Sequence, residues 1–474
     1  MHTLGRPARW LFGFLALLLL LFVPLWLMLQ GQADAFEEAG KGRRTSGQVY
    51  ADMANAPPGE SVTVPLRAGG GFAPQTRLGF TSGDQWEPAI AADRFGHVYV
   101  LYPQYGGVPG CSTCSTDSPT MILQMSSDRG ATWAAPTIMY PAGSATGQWD
   151  AQIVVDPIDG RTVYAAWLQN GKSDIAVAKS TDFGATWSVV IADSTNAGTD
   201  KPILAVRGQN VYVGYNHAQK VWVSSSHDGG LTFTSTNVNK TGKLGWSLAG
   251  GGAVDPAGNV YFSWAGYSQN GGAKGPVYLY ISKSTDGGNT WTTKTLDVSG
   301  APPDCSAYQC GWAYLGAQMT MASDAAGTLY ALWNSNTADK TPNRIYFAKS
   351  TDAGATWSAK VDVSAAPAGI AHAFPAIAAG AAGDVRISWM DARATGLLWN
   401  TYYRSSTNGG GKWSAEVDLS SYVTGYDYIQ PDGFSFPFGD YYELDIDDRG
   451  NSHLVWGEGL NYDSPGSIWY TRGR

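Results

Sequence analysis

Acids, tyrosines and one arginine recur in the long segments of this chain in a pattern that suits carbohydrate. Glu87 follows Trp86 near the start of the first apolar repeat, and Asp391-Ala392-Arg393 closes a later one. Asp440-Tyr441-Tyr442-Glu443 ends the longest irregular stretch, Ser420 to Asp440. Sugar C–H faces stack on aromatic rings while sugar hydroxyls bond to acids. A glycosidase pairs two carboxyl groups, one giving a proton to the leaving oxygen and the other assisting water or attacking directly. On that chemistry Glu87, Asp391 and Asp440 are candidate acid/base groups, Tyr441 is a nucleophile or ring contact, and Arg393 is an anion contact. Trp149, Trp312 and Tyr442 are candidate substrate contacts. Each residue also has a plainer use: the indoles as packing, Glu87 and Glu443 as anchors of strands, Asp391 and Arg393 as partners of each other. His217 and His372 are isolated and no metal-ligand spacing occurs, so no metal or cofactor is expected.

Two repeats must position these residues. The first is an alternating strand, a short Asp/Gly turn and a second strand usually ending in Trp or Tyr. It runs PAIAADRFGHVYVLY from Pro88, AQIVVDPIDGRTVYAAW from Ala151, PILAVRGQNVYVGY from Pro202 and GGAVDPAGNVYFSW from Gly251. It continues TMASDAAGTLYALW from Thr320, PAIAAGAAGDVRISW from Pro375 and ELDIDDRGNSHLVW from Glu443, seven copies in all. The second repeat is an octet that follows six of them: SSDRGATW from Ser126, STDFGATW from Ser180, SHDGGLTF from Ser226, STDGGNTW from Ser284, STDAGATW from Ser350 and STNGGGKW from Ser406. Within an octet the Asp accepts hydrogen bonds from the turn backbone, and the glycine two residues on takes a conformation closed to other residues. A carboxylate written this often is a folding device.

The octets resemble the Asp-box, or BNR, repeat of the sialidase superfamily of β-propellers. The resemblance implies an all-β propeller, with each box between the third and fourth strands of a blade and on the face away from the active site. Seven four-stranded blades are expected over 60–474; six is the alternative, since sialidases have six. The strand missing from the last blade is assigned to Ser61–Leu66, beside Ser467–Thr471, so that no sheet edge stays open. The loop face then gathers Glu87, Asp391, Arg393, Asp440 and Tyr441 where blades six, seven and one meet. SWMDAR (from Ser388) and FGDYYELDID (from Phe438) look similar to bacterial sialidase-like propellers. Sialidases clamp the substrate carboxylate with three arginines, the first in an Arg-Ile-Pro motif; this chain has no such motif, and beyond Arg393 only Arg77 is placed to help. Sialic acid is therefore not the expected substrate.

A net charge of −8 with no basic run excludes a nucleic-acid partner. Arg6 and Arg9 precede an uncharged apolar run from Trp10 to Leu29, then Ala33-Asp34-Ala35, which reads as a signal peptide or an uncleaved membrane anchor within 1–35. Residues 36–59 read as a polar tether. The body is expected outside the cell, secreted or anchored, and monomeric, with local disulfides Cys111–Cys114 and Cys305–Cys310. Two functions remain open: a glycoside hydrolase of extracellular glycans, or a non-catalytic propeller that binds a glycan or a cell-surface protein, or serves as a scaffold.

Overall fold

The period-2 pattern of the hairpins predicts sheets buried on both faces, and the computed structural model shows why. In blade one, Ile90, Val98, Val100 and Tyr102 pack with Val455, Ile468 and Tyr470 of blade seven. The alternating set Ala89, Ala91, Tyr99 and Leu101 packs on the other side with Ile153, Val163 and Trp167 of blade two. Each sheet thus serves two interfaces, and the tryptophans that close the second strands (Trp167, Trp333, Trp389, Trp456) are fully buried between blades. Truncating one of these indoles should cost about 3–5 kcal/mol.

The structure describes residues 71–140, 147–194, 198–217, 219–239, 244–269, 273–306, 310, 314–420, 423, 426, 428–430, 432–460 and 465–474. They form a seven-bladed β-propeller of antiparallel sheets. Every hairpin of the first repeat supplies the inner two strands of a blade, as in Trp149–Val155 with Val163–Gln169 and Met319–Ser323 with Leu329–Ser335. Blade one carries an extra short strand, Asp84–Gln85, beside Val98–Tyr105. The ring closes by sharing a blade between distant parts of the chain. Thr76–Arg77 pairs with Tyr470 and Trp469, and Phe72 bridges to Gly473. The closing strand is therefore not Ser61–Leu66, which lies outside the described residues together with the apolar run and tether of 1–59. No helix among the described residues is long and apolar enough to cross a membrane.

The octets are the expected turns between third and fourth strands. In the second, the Ser180 hydroxyl donates to Asp182 Oδ1 (2.8 Å), and the Thr186 N–H (2.9 Å) and hydroxyl (2.6 Å) donate to the same carboxylate. The Gly184 N–H donates to Ser180 Oγ at 2.8 Å, with Gly184 at φ 80°. These bonds hold the Asp182 carboxyl down to about 2, the Thr186 hydroxyl acting most strongly. Asn408 keeps the backbone half of this pattern, accepting from the Lys412 N–H at 2.8 Å. Basic side chains on third strands then reach the next octet: Lys179 Nζ donates to Gly229 O (3.1 Å) and Lys283 Nζ to Ala353 O (2.9 Å). Both disulfides, Cys111–Cys114 and Cys305–Cys310, are formed.

Candidate active site at the channel mouth

The inner strands surround a cavity of about 330 Å³ along the propeller axis. On the loop face, one residue of each blade stands five positions (six for Lys201) before the last pair of the inner hairpin: Glu87, Asp150, Lys201, Ala249, Gln318, Phe374 and Tyr441. Four of these residues have a left-handed backbone although none is glycine: Glu87 (φ 51°), Asp150 (56°), Lys201 (52°) and Phe374 (54°). Such a conformation costs an ordinary residue about 1–3 kcal/mol and clusters at functional sites. At Asp150, Lys201 and Phe374 it accompanies a break in strand register, which turns the side chain out of the strand's alternation. Ala249 and Phe374 turn into cores between blades. The other five are polar.

Those five, with neighbours, make one connected network. The Asp440 N–H donates to Glu87 Oε1 (3.3 Å) and the Lys201 N–H to Asp150 Oδ2 (3.1 Å). Lys201 Nζ pairs with Asp440 Oδ1 at 3.3 Å, donates to Gln318 Oε1 at 3.5 Å and lies 4.9 Å from the centre of the Tyr441 ring. The Tyr441 hydroxyl donates to Ala151 O (3.4 Å). Lys172, from the loop after blade two's second strand, stands 4.0 Å from Asp200 and 5.6 Å from the Trp149 ring. Gly439 makes the closest approach possible: it has φ 89°, and a Cβ there would lie 2.6 Å from Glu87 Cγ.

Enclosure sets the charge states. Burial, then the neighbouring acids Asp440 and Asp150, push the Glu87 carboxyl well above its ordinary range despite Lys201. Burial, then Asp150, does the same to Asp200 against the opposing pull of Lys172. Burial and the acids Asp150, Glu87 and Asp440 raise the Tyr441 phenol, so it stays neutral. Burial pulls the Lys172 ammonium down, but Asp200 and Asp150 outweigh it and leave it above its ordinary value. Further along the channel Glu443 accepts from the Ile90 N–H (3.1 Å) and Asp445 from the Ala92 N–H (2.8 Å). Although the channel leaves both partly open, the enclosing protein pushes them to about 8 and about 6.

The sequence candidates divide. Glu87, Asp440 and Tyr441 come together. Asp391 and Arg393 do not join them: Asp391 is fully buried in blade six, where Arg393 Nε (2.8 Å) and Trp389 Nε1 (3.0 Å) donate to it. Arg393 also pairs with Glu416 and lies over the Tyr402 ring. That pair is an internal brace, because a guanidinium satisfied by two carboxylates offers nothing to an incoming anion. Tyr442 is buried in the core where blades six and seven meet, its hydroxyl bonded to Ser388 Oγ at 2.7 Å. Trp149 lies at the edge of the mouth under Lys172, and Trp312 lies outside the described residues. The site therefore spans blades seven, one, two, three and five, and Lys201, Lys172, Asp200 and Gln318 are its unforeseen members. No group of three or more metal-ligating side chains occurs among the described residues.

No family model matches the chain. A xyloglucanase of Paenibacillus sp is 27% identical over 374 residues, 65% of this chain and 33% of the relative. The chain thus spans about a third of the curated relative it matches. Among solved structures, an ulvan lyase of polysaccharide lyase family PL25 aligns with TM-score 0.49 at 11% identity, covering 83% of this chain and 95% of that one. The intramolecular trans-sialidase of Ruminococcus gnavus aligns with TM-score 0.43 at 15% identity, covering 82% and 94%. Sialidases stand among the structural neighbours, as the octets led us to expect, and at these levels the likeness is one of fold.

Proposed function

We propose that the chain is a carbohydrate-active propeller hydrolysing a glycan at the channel mouth, with Glu87 as general acid and Asp440 as the second carboxylate. One observation carries the reading: two neighbouring acids sit in different settings, one enclosed and one ion-paired. Glu87 keeps its proton because it is enclosed beside Asp440 and Asp150. The Asp440 carboxyl faces Lys201 Nζ at 3.3 Å. A protonated acid beside a second carboxyl group is what glycoside hydrolysis needs. Glu87 would pass its proton to the glycosidic oxygen as the C1–O bond breaks, and Asp440 would take the proton of the attacking water. Tyr441, neutral and held by Ala151 O, would serve as a ring contact and hydrogen-bond partner, not as a phenolate nucleophile.

The xyloglucanase relative places xyloglucan first among polymers to assay. A polymer substrate agrees with a body exported by the apolar run at Trp10–Leu29, either secreted or membrane-anchored. Release of reducing ends from a polysaccharide panel, measured for the full chain and for Glu87→Gln and Asp440→Asn, tests the assignment. Turnover should fall at least a thousandfold in both variants with little change in melting temperature. Undiminished turnover in Glu87→Gln would refute the acid; a panel that binds but is never cleaved would favour the glycan-binding alternative.

A further inference from the structure

The site as proposed leaves its sugar unspecified, and two features of the mouth narrow it. The first is charge. Both lysines at the mouth are already matched, Lys201 by Asp440 (3.3 Å) and Lys172 by Asp200 (4.0 Å). The described arginines of this face are engaged elsewhere: Arg393 with Asp391 and Glu416, Arg344 with Asp362, and Arg77 with Gln85 and the Tyr426 ring. An incoming carboxylate or sulfate would meet Asp150 and Asp440 and the protonated Glu87, and the two ammonium groups at the mouth are spoken for. It would find no bidentate guanidinium.

The second is shape. Beside Asp440 a small pocket of about 10 Å³ opens between Trp246, Tyr267, Tyr314 and Gln318. Trp246 and Tyr267 are cross-strand partners in blade four, and Tyr314 is braced edge-on by Phe374 with ring centres 5.4 Å apart, so the walls are fixed. A space of that size holds one water-sized group. Its polar partners are the Asp440 carboxylate, an acceptor, and the Gln318 amide, whose oxygen already takes the Lys201 proton and whose N–H₂ is a donor. An acceptor and a donor side by side, both bonded to Lys201 Nζ and flanked by aromatic walls, fit a hydroxyl on a short apolar stem. A carboxylate would be repelled by Asp440, and an N-acetyl group is too large.

We infer that the substrate is an uncharged hexopyranose chain and that this pocket takes the free hydroxymethyl group of one sugar unit. The inference rests on the glycan reading above and deepens it. The full chain is titrated with neutral β-1,4-linked tetrasaccharides of glucose, mannose and galactose, with the same three oxidised at C6 to carboxylates, and with xylotetraose, which lacks the hydroxymethyl group. At least one neutral hexose chain should bind tenfold or more tighter than its oxidised form and than xylotetraose. That preference should collapse in Gln318→Leu, which keeps side-chain bulk and removes the donor, and in Trp246→Phe, which shortens one wall. Equal or tighter binding of an oxidised chain or of xylotetraose overturns the inference while leaving a glycan site standing. So does a preference that survives in both folded variants. If no member of the panel binds, both the inference and the glycan reading fall.

Discussion

Glu458 offers a direct test of how this ring is held shut. It is fully buried near the end of blade seven's second strand. Trp456 Nε1 (2.8 Å) and Gln75 Nε2 (3.2 Å) both donate to its Oε1, and Gln75 lies just before the closing strand Thr76–Arg77. Burial pushes the Glu458 carboxyl from 4.5 to about 8, the two donors only partly opposing it. The folded state therefore holds a proton that the unfolded chain gives up above pH 4.5. Stability from this group is complete below that value and is lost as pH rises through about 8. Each pH unit in the window is worth about 1.4 kcal/mol, so the loss between pH 5.5 and 8 is about 3 kcal/mol. Glu458→Gln keeps the shape and removes the titration. In urea unfolding at the two pH values, the stability of the variant relative to wild type should grow by about 3 kcal/mol from pH 5.5 to pH 8. A variant whose stability falls with pH as steeply as that of the wild type would refute the reasoning.

Three further outcomes are expected. Gly439→Ala should destabilise the protein by about 1–3 kcal/mol in denaturant melts and abolish any turnover, because the new Cβ meets both a left-handed backbone and Glu87. Asp182→Ala should lower the melting temperature at pH 7 without touching ligand binding. The stability that Asp182 supplies is present above about pH 4 and is lost as pH falls through about 2, so the gap from wild type should close in acid. Lys283→Met should lower the melting temperature by leaving the carbonyl of Ala353 in the next blade with only the Tyr261 hydroxyl (3.2 Å) as side-chain donor, and an unchanged melt would show that the lysine bond adds nothing.

The fold was legible because it is written in period-2 hairpins whose both faces must be buried, and such sheets have few arrangements besides a ring. What hid the closing strand was its brevity. Thr76–Arg77 is two residues long and carries no alternation, whereas Ser61–Leu66 alternates well. Glu87, Asp440 and Tyr441 announced themselves as acids and a tyrosine beside repeats. Lys201 did not, because a lysine before Pro202 reads as a solvated strand end. A signal was nonetheless present: reading one residue ahead of the Pro202 copy, in register with Glu87 and Asp150, finds it. Asp391 and Arg393 misled because sequence spacing does not report direction; their side chains turn inward to Glu416 and Trp389 instead of toward the axis.

The left-handed positions at the mouth have a consequence for how such a protein changes. Glu87, Asp150 and Lys201 each sit where glycine would relax the backbone, so drift alone should erase them and leave a sturdier, blank propeller. Their side chains also stand outside the alternation that packs one blade on the next, so exchanging one for another leaves the interfaces untouched. The mouth therefore behaves as a set of separately replaceable letters on an unchanging frame. New ligand preferences could be written one blade at a time.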